Sequence, residues 1–213
     1  MTTLILERHA ESMANLYDMF AGHTDHDLSP RGRQQAELTA TYIAAHLHID
    51  KIVSSDLPRA RQTAQAVAEK LHLDVHTDPQ LREIRADAWD RKTFDELNAT
   101  YPLEYGLWRN DIGNAGCPGS ESTRDLSIRI MAAMTRIAEE NPGKTVLVTT
   151  HATPIRAAQC LMAGYSLDEM KNIPWVSNAS LTTVTYENGC WKILRVSQDE
   201  HLAELRTALP ANT

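Results

Sequence analysis

Short β-favouring runs alternate along this chain with segments of helical periodicity, and that alternation restricts the folds open to it. Thr2–Leu6 is an apolar run that stops on Glu7-Arg8-His9. Lys51–Ser54 is a second, and Lys144–Thr150, the strongest strand signal, stops on His151. Between them Ser29-Pro30 opens a helix, with Ser as cap and Pro in the first turn. Ala36, Ala40, Ile43 and Leu47 then fall on one of its faces. Asp56 is read as the cap of a helix entered through Leu57-Pro58 and running to about Leu71. Ser120 or Ser122 caps another, to about Glu140, whose stripe is Leu126, Ile130, Met134 and Ile137. Strands and helices in alternation predict a three-layer α/β/α fold, a mostly parallel sheet with helices on both faces. Asn188-Gly189, between strands at Ser180–Tyr186 and Cys190–Ser197, predicts a hairpin that adds an antiparallel edge.

The remaining segments are shorter. Glu11–Leu28 reads as a long loop with a helical turn near Met13–Tyr17. A brief strand at Asp74–His76 leads through the Asp78-Pro79 turn to Leu81-Arg82-Glu83-Ile84. Residues 85–119 read as a cap-like insertion, with short helices at Thr93–Thr100 and Pro102–Asn110, within a single domain spanning 1–213. Pro154–Met162 is helical and ended by Gly164, and Ser166 caps a short helix to Lys171. A helical turn at Leu202–Leu205 and a polar tail close the chain.

Bulk properties exclude several classes. Apolar runs fall well short of the ~20 residues of a membrane helix, and no basic segment followed by an apolar stretch marks a signal peptide. The first strand starts almost at Met1, which predicts no targeting segment. Three separated cysteines, Cys117, Cys160 and Cys190, match neither a disulfide framework nor a zinc site. A cytoplasmic protein is expected. A net charge of −7 disfavours nucleic acid and anionic membrane as partners, so an anionic ligand needs a local basic pocket.

Such a pocket is legible at the strand ends. His9 follows the first strand, Arg59 lies in the first turn of the helix after the second, and His151 follows the strongest. In a doubly wound sheet these positions share the carboxyl edge, where ligands bind. Helix N-termini there favour anions, and Arg8 and Arg59 add forks suited to phosphate oxygens. Arg61 competes with Arg59, but two positions along a helix turn it by about 200°, and Arg59 is nearer the helix start. The competing reading of each is a polar surface side chain. Two imidazoles in a phosphate pocket suggest phosphoryl transfer through a covalent histidine intermediate. Neighbouring arginines keep the attacking ring neutral, and Glu83 is a candidate acid for the leaving group.

These residues resemble the histidine phosphatase superfamily, in its phosphoglycerate mutase-like branch. The matching blocks are Arg8-His9-Ala10-Glu11-Ser12 with Asn15, Gly22-x-x-Asp25-x-x-Leu28-Ser29-Pro30-x-Gly32 and Ser54–Ala64. Leu81–Ile84, Gly119–Ser122, Val146–Arg156 and Asn178–Leu181 follow in family order. The resemblance implies His9 as nucleophile, Glu83 as proton donor, and Arg8, Arg59 and His151 as the phosphate pocket. It implies Asn15 as a further contact, with Ser12, Gly22 and Ala152 as substrate-binding positions, and no metal or other cofactor. The chain departs from the pattern at Ala10 and Ala152, where the family has Gly, and after Glu83, where its glycines around a Trp are missing from 85–93.

The leading expectation is a metal-independent phosphatase acting on small phosphate monoesters, with a small phosphorylated metabolite as partner and a homodimer left open. One alternative is a cofactor-dependent phosphoglycerate mutase, with Arg85, Arg91, Lys92 and Arg109 as the extra basic residues. Another is a non-catalytic phospho-ligand-binding module. His23, Asp25, His26 and Asp27 have ligand chemistry but read as a polar loop beside the pocket. His46, His48, His72 and His76 read as partly exposed. The four tryptophans, Trp89 and Trp108 above all, are candidates for the substrate mouth or the core. The substrate itself is not legible, because residues 85–119 carry no readable motif.

Overall fold

A computed structural model describes residues 1–207. β1 (Thr2–Arg8) lies inside the sheet, parallel to β4 (Thr145–Thr150) and antiparallel to β5 (Leu181–Glu187). With β2 (Lys51–Ser54), β3 (Val75–Thr77) and β6 (Cys190–Gln198) the order is β3-β2-β4-β1-β5-β6. The chain therefore has the expected α/β architecture, with the hairpin forming an antiparallel edge. Asn188 (φ 51°) and Gly189 (φ 79°) supply the two left-handed torsions that a two-residue hairpin turn requires.

Both sheet faces are covered, which is why β1 and β4 read as continuous apolar runs. Ile5, Ile52 and Leu147 pack on one face with Ala40 and Ile43 of α2 (Pro30–His46) and Ala64 and Val67 of α3 (Pro58–Leu71). Leu4, Leu6, Val146 and Val148 pack on the other with Ile130 and Met134 of α6 (Thr123–Glu139) and Ile155 of α7 (Ala152–Met162). Leu4 and Leu6 are fully buried, each contributing roughly 1.5–3 kcal/mol. In chain order the other helices are α1 (Met13–Leu16), α4 (Phe94–Thr100) and α5 (Pro102–Asn110). Trp89, Leu97, Tyr105 and Trp108 belong to the same core cluster as Leu4 and Leu6. Among the described residues no helix is long and apolar enough to cross a membrane.

The local signals hold in outline, with four shifts. Ser29 Oγ accepts from the Gly32 N–H at 2.9 Å, and Ser122 forms a reciprocal cap with Asp125. Asp56 does not cap α3. The cap position is Leu57, and the Asp56 carboxylate grips Arg82 through two bonds of 2.7 and 2.5 Å. α7 begins two residues earlier than the Pro154 signal, because His151 occupies its cap position. The brief strand sits one residue later, at Val75–Thr77, and the predicted turn at Leu202–Leu205 is a 3-10 helix, Glu200–Leu205. The polar tail beyond Thr207 lies outside the described residues.

The missing glycines have a local answer. Neither Ala10 nor Ala152 takes a positive φ, so a methyl group costs no backbone strain at either. The Ala10 methyl is buried against Leu28, Ala36 and Ala179. After Glu83, by contrast, Asp87 (φ 41°) and Arg91 (φ 66°) flank the fully buried Trp89 with left-handed torsions that glycine adopts without strain.

Candidate active site

The sheet places His9. Its N–H donates to Thr150 O (2.9 Å), so the β1–β4 ladder runs to the first residue past the strand. Asn178 Nδ2 donates to His9 O at 3.0 Å and Ala179 N–H to Arg8 O at 3.0 Å, which fastens the strand end from the β5 side. The ring is buried, and Nδ1 lies 2.7 Å from Ala10 O. A carbonyl only accepts, so this contact assigns the proton to Nδ1 and leaves a lone pair on Nε2. Burial first, then Arg59 and Arg8, hold the His9 pKa well below its ordinary value of 6.5. The ring is neutral at neutral pH.

His151 is fully buried, with ring centroids 5.1 Å from His9 at 60°. Its Nε2 pairs with Ser55 Oγ at 2.8 Å. With Ser55 donating, the ring proton sits on Nδ1, which has no partner. Burial and then Arg59 also depress this histidine.

Arg59 is the inward residue of its pair: it is buried and Arg61 is exposed. Nη1 donates to Thr24 O (3.0 Å), and Nη2 to Ala21 O (3.1 Å) and Gly22 O (2.8 Å). Arg8 Nη1 donates to Val176 O at 2.6 Å. In both arginines the buried Nε lacks a partner. Desolvation lowers each guanidinium to about 10, and both stay charged at neutral pH. Arg8 Nε, Arg59 Nε and His151 Nδ1 thus form a set of unmatched buried donors. Each costs roughly 1–3 kcal/mol when unpaired.

Glu83 is buried. Its Oε1 accepts from Ile84 N–H at 2.8 Å and Oε2 from Thr153 N–H at 3.4 Å. Burial outweighs these bonds and Arg59, raising its pKa above 4.5. Its carbonyl accepts from His23 Nε2 (2.8 Å) and Arg129 Nη2 (3.2 Å).

A cavity of about 470 Å³ is lined by Arg8, His9, Arg59 and Glu83, and also by Ser12, Asn15 and Ala152. Asn15 Oδ1 is taken by Ser12 Oγ at 2.9 Å, so its amide nitrogen is free to donate. His151 does not line the cavity and reaches the site beside His9. Gly22 does not line it either, which moves this expected substrate contact into a buttressing position. Its carbonyl holds Arg59, and a Cβ there would lie 2.7 Å from Ala86 Cβ and Ile84 O. His23 is spent on the Glu83 carbonyl, and among the described residues no three His, Cys, Asp or Glu side chains group to hold a metal. Trp108 and Arg109 line the cavity, whereas Trp89, Arg85, Arg91 and Lys92 do not.

Sequence reasoning missed several lining residues. Thr153 and Arg156 sit on the α7 face that starts at Ala152, a helical spacing visible in advance. Phe94, Tyr105 and Thr207 come from segments whose placement depends on tertiary packing, and nothing local announced them; Trp175, one of the four tryptophans read as candidates for the mouth, also lines the cavity.

The carboxyl edge of the parallel strands thus gathers two imidazoles, two arginines whose Nε atoms lack partners, and a buried acid. The chain belongs to the histidine phosphatase superfamily (branch 1), whose profile matches residues 4–199. It is 31% identical over 204 residues to phosphoserine phosphatase 1 of Hydrogenobacter thermophilus, covering 96% of each protein. Its fold is similar to that of Bacillus stearothermophilus YhfR (TM-score 0.90, 25% identity, 95% of this chain and 100% of that one). It is also similar to a phosphoserine phosphatase mutant from Entamoeba histolytica in complex with phosphoserine (TM-score 0.83, 27% identity, 95% and 100%).

Proposed function

We propose that this protein is a phosphatase that hydrolyses small phosphate monoesters through a phosphohistidine on His9. The observation that carries the reading is the set of unmatched buried donors beside a neutral imidazole whose Nε2 is free. The phosphate oxygens bind Arg8 Nε, Arg59 Nε and His151 Nδ1, with the Asn15 amide as a further donor. The Nε2 lone pair of His9 attacks phosphorus as the P–O ester bond breaks, and Glu83 gives its proton to the departing alkoxide. In the second step water attacks phosphorus, its proton returns to Glu83, and the N–P bond breaks to release inorganic phosphate. The arginines and His151 hold the equatorial charge throughout.

The departures from the family pattern do not disturb this assignment, since both alanines keep ordinary torsions. The mutase reading asks for extra cations, and of Arg85, Arg91, Lys92 and Arg109 only Arg109 lines the cavity. We infer that residues 85–119 act as a cap over the site, a reading that Phe94, Tyr105 and Trp108 support from its lining. The relatives named as phosphoserine phosphatases put phosphoserine first in a substrate panel.

The test is hydrolysis of p-nitrophenyl phosphate and of a metabolite panel in the presence of a chelator. Turnover is expected, with acid-labile covalent labelling that His9→Ala removes. Turnover that appears only with added divalent cation, or labelling that survives His9→Ala, would refute it.

A further inference from the structure

The charge around the cavity does not balance. Four arginines line it, Arg8, Arg59, Arg109 and Arg156, against two carboxylates, Glu83 and Asp18. Arg8 and Arg59 feel the Glu83 charge and are the arginines assigned above to the phosphate. Arg109 and Asp18 are exposed at the rim. Arg156 is different. It is 4% exposed, and among the described residues no carboxylate lies within 4.0 Å of it. A buried cation without a counter-charge is costly.

The same side chain is held rigidly. Nε donates to Ile173 O at 2.6 Å and Nη2 to Lys171 O at 3.1 Å. The guanidinium lies 4.3 Å from the centroid of the Trp175 ring, which also lines the cavity. Nη1 has no protein partner among the described residues. A fixed, planar, charged fork with a spare donor is preorganised for an anion. It stands one turn along α7 from Ala152, a rise of ~6 Å. Both residues line the cavity that Arg8, His9 and Arg59 also line, so the fork opens onto the space of the proposed phosphate site.

We propose that Arg156 binds a carboxylate of the substrate, so that the site selects small phosphate monoesters that carry one. This rests on the phosphatase reading and names the substrate class of the same site. The burial of the guanidinium makes such a contact a charge-assisted bond in a low-dielectric setting.

The experiment compares 3-phosphoglycerate with glycerol 3-phosphate, which replaces the carboxylate by a hydroxymethyl group. For the wild-type protein kcat/KM is expected to favour 3-phosphoglycerate by about 10-fold or more. Arg156→Met is expected to bring that ratio close to one, and Arg156→Lys, which keeps the charge but loses the fork, to leave a smaller preference than wild type. A purely structural role would lower both substrates alike and leave the ratio unmoved. A wild-type ratio near or below one, or a ratio unchanged in the variants, overturns the proposal, and the wild-type measurement decides even if Arg156→Met does not fold. Calorimetry on the His9→Ala protein asks the same question without turnover: 3-phosphoglycerate is expected to bind about 10-fold more tightly. If neither these esters nor p-nitrophenyl phosphate are hydrolysed, the phosphatase reading falls while the binding ratio still judges the subsite.

Discussion

Glu7→Gln is expected to stabilise this protein at pH 8 and to have a much smaller effect at pH 4.5. Glu7 is fully buried in β1. Its Oε2 accepts from Thr149 Oγ1 at 2.6 Å, and Oε1 has no partner. Ile5, two residues earlier on the same face, packs against α2 and α3, so the carboxyl faces an apolar layer. Burial dominates over the Thr149 bond and raises its pKa from 4.5 to about 7. The folded protein therefore holds this proton where the unfolded chain has lost it. The protein is most stable, as far as this group goes, below pH 4.5. That advantage is lost as pH rises to about 7 and stays lost above, a total of ~3 kcal/mol at about 1.4 kcal/mol per pH unit. Glutamine keeps an oxygen for Thr149 and cannot ionise. The assay is urea unfolding of both proteins at several pH values, followed by tryptophan fluorescence. Glu83 and the other titrating groups are common to both and largely cancel in the difference. The difference should grow in favour of Glu7→Gln between pH 4.5 and 7 and then level off. A difference that does not vary with pH would refute the reasoning, because it would mean that Glu7 titrates alike in both states.

Other perturbations address the acid and its supports. Glu83→Gln should reduce turnover of alkyl phosphates by roughly 10²–10⁴-fold and that of p-nitrophenyl phosphate much less; equal losses would argue against an acid role. Because burial raises the Glu83 pKa, kcat/KM for alkyl esters should decline on the alkaline side of that raised value, and Glu83→Gln should abolish that limb. Arg129→Met removes donors to Gln80 O, Arg82 O and Glu83 O, and should lower kcat for alkyl esters more than for aryl esters, with Arg129→Lys recovering part of the loss. Arg91→Gly should raise unfolding stability by about 0.5–1 kcal/mol by relieving its left-handed torsion; no gain in the urea midpoint would show that the turn is unstrained.

The fold was legible because its signals are local. Apolar runs of the right length, Ser29-Pro30, the Ser122 cap and Asn188-Gly189 each act within a few residues, and each did what its chemistry dictates. His9, Arg59 and His151 were legible for a related reason: a strand end in a parallel sheet has a known address. Asp56 misled because a carboxylate before a helix is a good cap unless something outbids the backbone N–H, and Arg82, 26 positions on, does so with two charge-assisted bonds. A glycine near a site, such as Gly22, has two explanations, room for a ligand or room for the chain, and here Ala86 and Ile84 occupy the space a side chain would take. Phe94 and Tyr105 carried no signal, since the way their segments fold over the cavity depends on contacts distant in sequence.

The proposed nucleophile, His9, and the proposed acid, Glu83, are held by different kinds of interaction, and this bears on how such a site can change its substrate. The main chain at His9 and His151 is set chiefly by backbone bonds. Arg8 pairs with Thr150 in the parallel register, and the His9 N–H continues that ladder. Side-chain substitutions leave these bonds in place. Glu83 sits on an irregular segment after a 3-10 turn, held by side chains. Arg129 ties down three of its carbonyls and is itself gripped by Glu121 through two bonds of 2.8 Å, while Glu121 also accepts from the Arg85 N–H at 2.9 Å. A single substitution in that network is expected to shift Glu83 without shifting the histidines. On the proposed mechanism, leaving-group preference would then drift at Arg129 and Glu121 while phosphoryl capture at His9 persists. It follows that variants of Glu121 should keep covalent labelling of His9 by aryl phosphates even where alkyl ester turnover collapses. Loss of both together would mean that the acid segment also supports the nucleophile.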